Sequence, residues 1–364
     1  MRRVVVKIGT SSLTDRTGGL SLERLGAFVS QVIAVHTLPC HVTIVTSGAV
    51  AAGVGHLGWR RASITIPEKQ AAAAVGQGLL IGAYQRKFQE AGISTAQLLL
   101  TRSDIEDRRR FVHIRNTLET LLKNRIVPIV NENDSVAVDE IRFGDNDTLA
   151  SLVTLVANAD LLVLLTDQAG FYDADPRTNP AARLIPHVFD WTPEIEAMAT
   201  HTGSTVGTGG MSTKLKATQV AAAAGIQTVI AASHEPHILT RILAGEEIGT
   251  RFHCGAKARR SDKRAWLRVR SQVDGHLRID HGAAEALVNT RYSLLLPGIV
   301  EVNGHFQEGA VVDLWSPDGE RVARGAVNFA ADDLRLLLKR RHAGEALSVG
   351  EVIHRNELLI WDRG

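Results

Sequence analysis

From residue 1 to about residue 253, short runs of Val, Ile and Leu alternate with longer segments whose apolar residues recur every three or four positions. A compact aliphatic run bounded by polar or Gly residues has no wet face and reads as a strand buried on both sides. The longer segments between such runs read as the helices that cover the sheet. This alternation leaves few folds open, and the prediction is an α/β three-layer sandwich with a mostly parallel central sheet. The predicted strands are Arg3–Ile8, His41–Thr46, Ile126–Val130, Leu161–Thr166 and Gln227–Ala231. Leu22, Leu25, Val29, Val32, Ile33 and His36 mark one helix, and Pro67 opens an Ala-rich helix that ends near Gly92.

The texture changes over residues 254–270, where Lys257, Arg259, Arg260, Lys263, Arg264, Arg268 and Arg270 have few apolar neighbours. This stretch is the predicted linker between a larger domain, 1–253, and a smaller one, 271–364. The smaller one carries short alternating runs at Leu294–Leu296, Gly298–Val302, Ala310–Leu314 and Arg321–Val327, with turns at Asn303-Gly304 and Asp318-Gly319, and reads as β-rich.

Composition removes several classes of function. Lys plus Arg number 41 against 39 Asp plus Glu, so a net charge of +2 gives no overall drive toward nucleic acid or an anionic membrane. Cys40 and Cys254 are the only cysteines and form no CxxC, which argues against a disulfide scaffold or a thiolate metal site and fits a reducing cytoplasm. Lys7 follows only three apolar residues, too early for a signal peptide, and no run approaches the roughly 20 apolar residues of a membrane helix. The histidines form no ligand set: His234-Glu235-Pro236-His237 has the wrong spacing for a helical zinc site. A Gly-x-Ser-x-Gly nucleophile elbow is also missing.

Polar motifs cluster at strand ends, where α/β sheets bind ligands. Lys7-Ile8-Gly9-Thr10-Ser11-Ser12 puts a cation, a Gly and hydroxyls at the end of the first strand. A lysine snorkelling from a strand edge accounts for Lys7 equally well. Thr46-Ser47-Gly48-Ala49 offers small residues and backbone amides at a helix start, and tight packing accounts for the Gly and Ala but not for the hydroxyls. Asn131-Glu132-Asn133-Asp134 and Gly144-Asp145-Asn146-Asp147 gather carboxylates and amides suited to an ammonium-bearing ligand or to orienting lysines, with helix capping as the plain alternative. Thr166-Asp167, followed by a polar loop to Arg177, could hold a base and ribose. Gly207-Thr208-Gly209-Gly210-Met211-Ser212-Thr213-Lys214 opens a helix, and its amides, helix start and lysine together suit a phosphate. Gly53-Val54-Gly55-His56-Leu57-Gly58 fits the dinucleotide GxGxxG pattern but does not form the turn directly between strand and helix, so it is set aside.

Taken in order, Val6-Lys7-Ile8-Gly9-Thr10-Ser11, Thr46-Ser47-Gly48-Ala49, Asn131-Glu132-Asn133-Asp134, Gly144-Asp145-Asn146-Asp147, Leu165-Thr166-Asp167 with Ala174-Asp175-Pro176-Arg177, and Gly207–Lys214 closely resemble the glutamate 5-kinase family over nearly the whole chain. Single pieces recur across the amino-acid kinase superfamily. The Asn-Glu-Asn-Asp and Gly-Asp-Asn-Asp pair, with a C-terminal domain similar to a PUA barrel, narrows the choice. Val206, where members often carry Leu, is a small departure.

The resemblance implies transfer of a phosphoryl group from ATP, with Mg2+, to the side-chain carboxylate of L-glutamate, the first step of proline biosynthesis. It also implies a cytoplasmic homo-oligomer, dimer or tetramer, with proline as feedback inhibitor. By that resemblance Lys7 and Lys214 stabilise the transferred group and Asp147 holds the lysines. Ser47, Asp134 and Asn146 bind glutamate, and Lys7, Gly9, Thr166, Asp167, Thr208, Gly209, Gly210, Met211, Ser212, Thr213 and Lys214 bind ATP. No protein metal ligand is assigned. A glutamate side chain, with an ordinary pKa of about 4.3, is already ionised at neutral pH, so no general base is required. Two readings compete: RNA binding through the PUA-like domain, weakened by the balanced charge and the lack of an aromatic stacking run, and the same fold acting on aspartate or acetylglutamate.

Overall fold

The computed structural model describes the chain apart from residues 16–17, 60–63, 137–145, 201–209, 255–266, 268–272, 291, 346, 348 and 362–364. The chain forms two compact units, Met1–Arg260 and Ser261–Gly364. The expected basic linker, 254–270, lies outside the described residues except for Cys254 and Leu267.

The strands of the first unit are β1 (Arg2–Ile8), β2 (Cys40–Val45), β3 (Thr95–Leu100), β4 (Val127–Glu132), β5 (Leu161–Thr166), β6 (His187–Val188), β7 (Gln227–Ala232) and β8 (Thr250–Phe252). Its helices are α1 (Thr10–Leu13), α2 (Leu22–His36), α3 (Ala49–Leu57), α4 (Ile66–Gln89), α5 (Arg102–Glu106), α6 (Arg108–Lys123), α7 (Asn146–Val156), α8 (Pro193–Thr200), α9 (Met211–Ala223) and α10 (Ile238–Ala244). The strands form one sheet in the order β3-β4-β2-β1-β5-β7-β8-β6. The first six are parallel, while β8 runs antiparallel to β7 and parallel to β6. Chain order reverses on either side of β1, which makes its carboxyl end a switch point where ligands bind in such sheets.

Alternation along β1 decides which helices meet which side chains. Val4, Val6 and Ile8 enter a core with Leu25, Phe28 and Val32 of α2, Leu80 and Tyr84 of α4, and Ile238 and Ile242 of α10. Val5 and Lys7 therefore face the other layer, where α7 packs on β1, β2, β4 and β5 and also contacts α6 and α9. The helix starts follow local chemistry. Ser21 accepts from the Arg24 amide at the start of α2. Thr65 and Glu68 form a reciprocal capping box before α4, with Pro67 in its first turn.

The GxGxxG segment is rightly set aside as a nucleotide loop, and two strands differ from the sequence reading for physical causes. The GxGxxG segment lies within α3 and its C-terminal cap. Gly53 is needed for helix packing: a Cβ there would come 1.8 Å from the Ala72 carbonyl oxygen on α4, and one at Gly76 would come 1.8 Å from that of Ala49. The expected strand ending at Val130 continues to Glu132, because Leu99 and Leu100 of β3 pair with Asn131 and Glu132. The sequence reading did not contain β3, whose start Thr95-Ala96-Gln97 is too polar and too short to signal a buried run.

In the second unit, β9 (Gly275–Ile279), β10 (Ile299–Gly304), β11 (Val311–Trp315), β12 (Arg321–Ala326) and β13 (Leu358–Ile360) form a sheet in the order β10-β9-β11-β12-β13. Helix Ala331–His342 adds Leu334 and Leu338 to its core. Asp318-Gly319 turns β11 into β12, with Gly319 at φ 79°. Asn303-Gly304 ends β10 without forming a hairpin onto β11, which instead pairs in parallel with β9. Leu294 forms an isolated bridge to Ile353 rather than a strand. Asp313 and Arg324 make a buried pair at 2.7 and 3.1 Å.

Candidate active site

Lys7 lies near the carboxyl end of central strand β1, hydrogen-bonded into the sheet between β2 and β5, and only 3% of it is exposed. An ammonium buried on a strand face requires a partner. The partner is Asp147 in the first turn of α7, itself fully buried. Its carboxylate also suits the positive end of the helix dipole. Lys7 Nζ is 2.7 Å from Asp147 Oδ1, and Lys214 Nζ is 3.0 Å from Asp147 Oδ2. Lys214 sits one turn into α9, and its neighbour Thr213 donates from Oγ1 to the Gly210 carbonyl at 2.8 Å, with Asp147 Oδ2 at 3.3 Å. Residues 7, 147 and 214 thus converge from three elements into one buried cluster. Among the described residues two cations share this one carboxylate, an arrangement that suits an anion in a low-dielectric setting.

Next to Asp147, Asn146 Nδ2 lies 2.6 Å from the Thr46 carbonyl, 2.9 Å from Ser47 Oγ and 2.9 Å from Asn131 Oδ1. Asn131 Nδ2 in turn donates to Gln77 Oε1 on α4 at 2.8 Å. Ser47 and Asn146 are therefore brought together. Asp134 lines a small open pocket with Ala49, Ala73, Gln77, Leu99, Glu132, Asn133 and Ser135. Thr46 Oγ1 is 3.0 Å from the Tyr84 hydroxyl, and burial pushes that phenol well above its ordinary pKa.

The expected nucleotide residues fall into two groups. Gly9 caps α1, and a Cβ on it would lie 3.7 Å from Lys7 Nζ, so the glycine backbone lies against the cation. Gly210, Met211, Ser212 and Thr213 open α9 beside Lys214, whereas Thr208 and Gly209 lie outside the described residues. Thr166 and Asp167 sit at the end of β5, bonded to each other at 3.0 Å and tied to β7 by the Ser233 amide on the Thr166 carbonyl at 2.7 Å. Ser233 Oγ meets Ser12 Oγ at 2.8 Å. Among the described residues no hydrogen bond joins Thr166 or Asp167 to the two lysines. In the following loop Arg177 clamps Asp175 through two bonds of 3.0 and 2.8 Å, and these hold that carboxyl below the usual carboxylate range.

The sequence reading gave no role to Gln77, Asn131, Ser12 or Ser233. Asn131 was visible only as part of a motif. Gln77 lies on the α4 stripe Ala73, Gly76, Gln77, Leu80 and Tyr84, where an amide among apolar residues at helical spacing was the available signal.

The amino acid kinase family model matches residues 2–232, and the PUA domain model matches residues 275–348. Glutamate 5-kinase from Moorella thermoacetica is 45% identical over 99% of this chain and 96% of its own length. Glutamate 5-kinase from Burkholderia multivorans is 44% identical over 99% of this chain and 98% of its own. Among solved structures, carbamate kinase from Giardia lamblia bound to AMP-PNP superposes with a TM-score of 0.52 at 17% identity, covering 70% of this chain and 99% of that one. UMP kinase from Bacillus anthracis superposes at 0.50 and 17%, covering 70% and 97%. The two structures show the shared fold of the first unit. With one family model spanning most of the chain and relatives at 44–45% identity along nearly all of it, the chain belongs to the amino acid kinase family, among the glutamate 5-kinases.

Proposed function

We propose that the chain transfers the γ-phosphoryl group of ATP to the side-chain carboxylate of L-glutamate, giving glutamyl 5-phosphate and ADP. The observation that carries this reading is the buried Lys7–Asp147–Lys214 cluster at 2.7 and 3.0 Å. A carboxylate needs no deprotonation before it attacks, so the barrier is repulsion between two anions, and catalysis comes from position and fixed positive charge. Lys7 and Lys214 face the transferring group and the charge growing on ADP. Asp147 fixes both ammonium groups in a buried setting. Gly9 and the Gly210–Thr213 start of α9 offer amides and hydroxyls to phosphate oxygens, as do Thr208 and Gly209 on the same reading. Thr166 and Asp167 take the nucleoside side, while Ser47, Asn146 and Asp134 hold glutamate, with Asp134 on its ammonium.

Mg2+ fits as an ion carried by the nucleotide. Both Asp147 oxygens are engaged by lysines, and among the described residues no three His, Cys, Asp or Glu side chains gather as a metal cage. Mg2+ commonly stays on phosphates and water, where it neutralises phosphate charge. Feedback by proline, a homo-oligomeric state and a cytoplasmic setting accompany this reading through the family resemblance, and no described helix is long and apolar enough to cross a membrane.

The test is ADP release with ATP and Mg2+ over a panel of acceptors, with hydroxylamine present to trap an acyl phosphate. Glutamate is expected to yield both ADP and a hydroxamate, and aspartate and N-acetylglutamate neither. Hydroxamate from either of those two alone moves the assignment to another member of the fold, and none from any acceptor removes it.

A further inference from the structure

The side-chain amides beside the cluster form a chain whose polarity can be worked out from one fixed end. The Thr46 carbonyl only accepts, so the Asn146 atom 2.6 Å from it is the Nδ2 donor. The Asn131 atom 2.9 Å from that same Nδ2 must then be an acceptor, Oδ1, which turns Asn131 Nδ2 toward Gln77. The Gln77 atom at 2.8 Å must in turn be Oε1. Reversing any one amide would set two N–H groups, or two lone pairs, against each other inside the protein and leave buried polar groups unpaired. The backbone carbonyl just past β2 thereby dictates the orientation of a glutamine on α4.

With Oε1 committed, the group Gln77 has left is Nε2, which carries two hydrogens. Only 8% of Gln77 is exposed, and Nε2 has no acceptor among the described residues. A mostly buried amide that keeps a donor at the wall of a pocket is placed to bond a ligand or water there. Gln77 lines the same pocket as Asp134 and Glu132. Carboxylates suit an ammonium there, and a neutral donor suits the carboxylate one carbon away from it. An α-amino acid carries that pair of groups.

On the function proposed above, we infer that Gln77 is a further substrate-binding residue: Nε2 donates to the α-carboxylate of glutamate, while Oε1, through Asn131, holds Asn146 next to Asp147. The residue then ties recognition of the main-chain end of the substrate to placement of its reacting end. Neither Gln77 nor Asn131 lies close to Lys7 or Lys214 in sequence, and the link exists only through β4 and α7.

The test compares L-glutamate with its α-amide, which keeps the side-chain carboxylate and removes the α-charge, using hydroxamate formation by the full chain. Gln77→Glu keeps an acceptor for Asn131 but removes both donors and places a carboxylate against the α-carboxylate. The expected result is a glutamate KM raised about tenfold or more with the ATP KM unchanged, and a glutamate-to-amide preference in kcat/KM at least about tenfold smaller than wild type. Gln77→Met, similar in volume, is expected to lose the preference too and in addition to lower kcat, because Asn131 is no longer oriented. It serves as the second variant if the first fails to fold. A purely structural glutamine would lower both substrates equally, and an unchanged preference in a folded variant overturns the inference. Wild-type protein that forms no hydroxamate from glutamate at all overturns the parent reading instead, so the two failures are distinguishable.

Discussion

Replacing Asp147 by Asn isolates the charge on which the proposed chemistry rests. The amide is nearly isosteric, so the cavity is kept, but one lysine would retain an oxygen acceptor while the other would face an NH2 group. The two ammonium groups, at 2.7 and 3.0 Å from separate oxygens of one carboxylate, would then face each other with one negative charge fewer between them. At a separation of roughly 5 Å and an effective dielectric of about 20, their repulsion is about 3 kcal/mol. Removing one member of a buried ion pair costs a similar amount, about 3–5 kcal/mol. If the lysines part to relieve that repulsion, about 3 kcal/mol of transition-state stabilisation is lost, a fall of roughly a hundredfold in kcat. Ground-state binding should behave differently, because a site with one negative charge fewer attracts ATP at least as well as before. The expected signature in coupled ADP-release kinetics is therefore a kcat lower by about two orders of magnitude with an ATP KM unchanged or reduced, in a protein whose circular dichroism is native and whose Tm is lower. A variant with kcat within about threefold of wild type, or one whose whole loss appears in the ATP KM, would refute the idea that Asp147 positions the cations.

Gly76→Ala drives a Cβ to 1.8 Å from the Ala49 carbonyl oxygen and should cost about 3 kcal/mol in urea unfolding, while Gly78→Ala, which has nothing within 4 Å, should be neutral or slightly stabilising. The same Gly76→Ala displaces the start of α3 two residues after Ser47, so the glutamate KM should rise more than that of ATP. Burial pushes the Cys40 thiol from 9.0 to about 11. Because the folded value is the higher one, its contribution is complete below pH 9 and is lost as pH rises toward 11, about 2–3 kcal/mol in all. Cys40→Ala should therefore flatten the fall in urea stability between pH 8 and 11, and an unchanged slope would refute the assignment. Chelation by EDTA should abolish turnover, with recovery on added Mg2+, yet leave the Tm of the nucleotide-free protein unchanged, because on the proposed function the ion travels with the phosphates.

What was legible in the sequence follows from where each residue sits. Lys7, Asp147 and Lys214 stand at element ends that the βαβ order brings to one side of the sheet, but their grouping comes from the family resemblance, because taken singly Lys7 also reads as a snorkelling lysine and Asp147 as a helix cap. Gln77 could not be identified in this way. It is one of several glutamines between Gln70 and Gln89, and only the register of α4 against β4 separates the one that bonds Asn131 from the others. Strands β3 and β6 escaped notice because they lie at the sheet edges, half-wet, and β8 because its three residues, between β7 and β6, are too few to show a continuous apolar run or a strict alternation. Gly53 and Gly55 match a nucleotide-loop pattern, set aside on context, because close approach of a phosphate and close approach of a second helix both demand the absence of a Cβ. The chain uses the absence at Gly53 for α4.

The distribution of charge within the site explains why its two ends are built from different side chains. On the proposed function, a carboxylate nucleophile gripped by a lysine would lose donor strength to a tight ion pair, since charge-assisted hydrogen bonds are about twice as strong as neutral ones. The same pairing on the phosphate side lowers the barrier, because negative charge grows on ADP as the bond breaks. An effective site therefore keeps its cations on one side and holds the acceptor with neutral dipoles. The described residues follow that division: Lys7 and Lys214 meet at Asp147, whereas Ser47, Asn146, Asn131 and Gln77 form a run of hydroxyl and amides with no cation among them. Asn146 and Asp147, adjacent in the first turn of α7, form the seam between the two environments. A change at that seam should trade acceptor affinity against turnover: Asn146→Lys would tighten glutamate binding and slow transfer, a lower KM with a lower kcat, whereas a role for Asn146 in folding alone would lower kcat and leave the glutamate KM where it was.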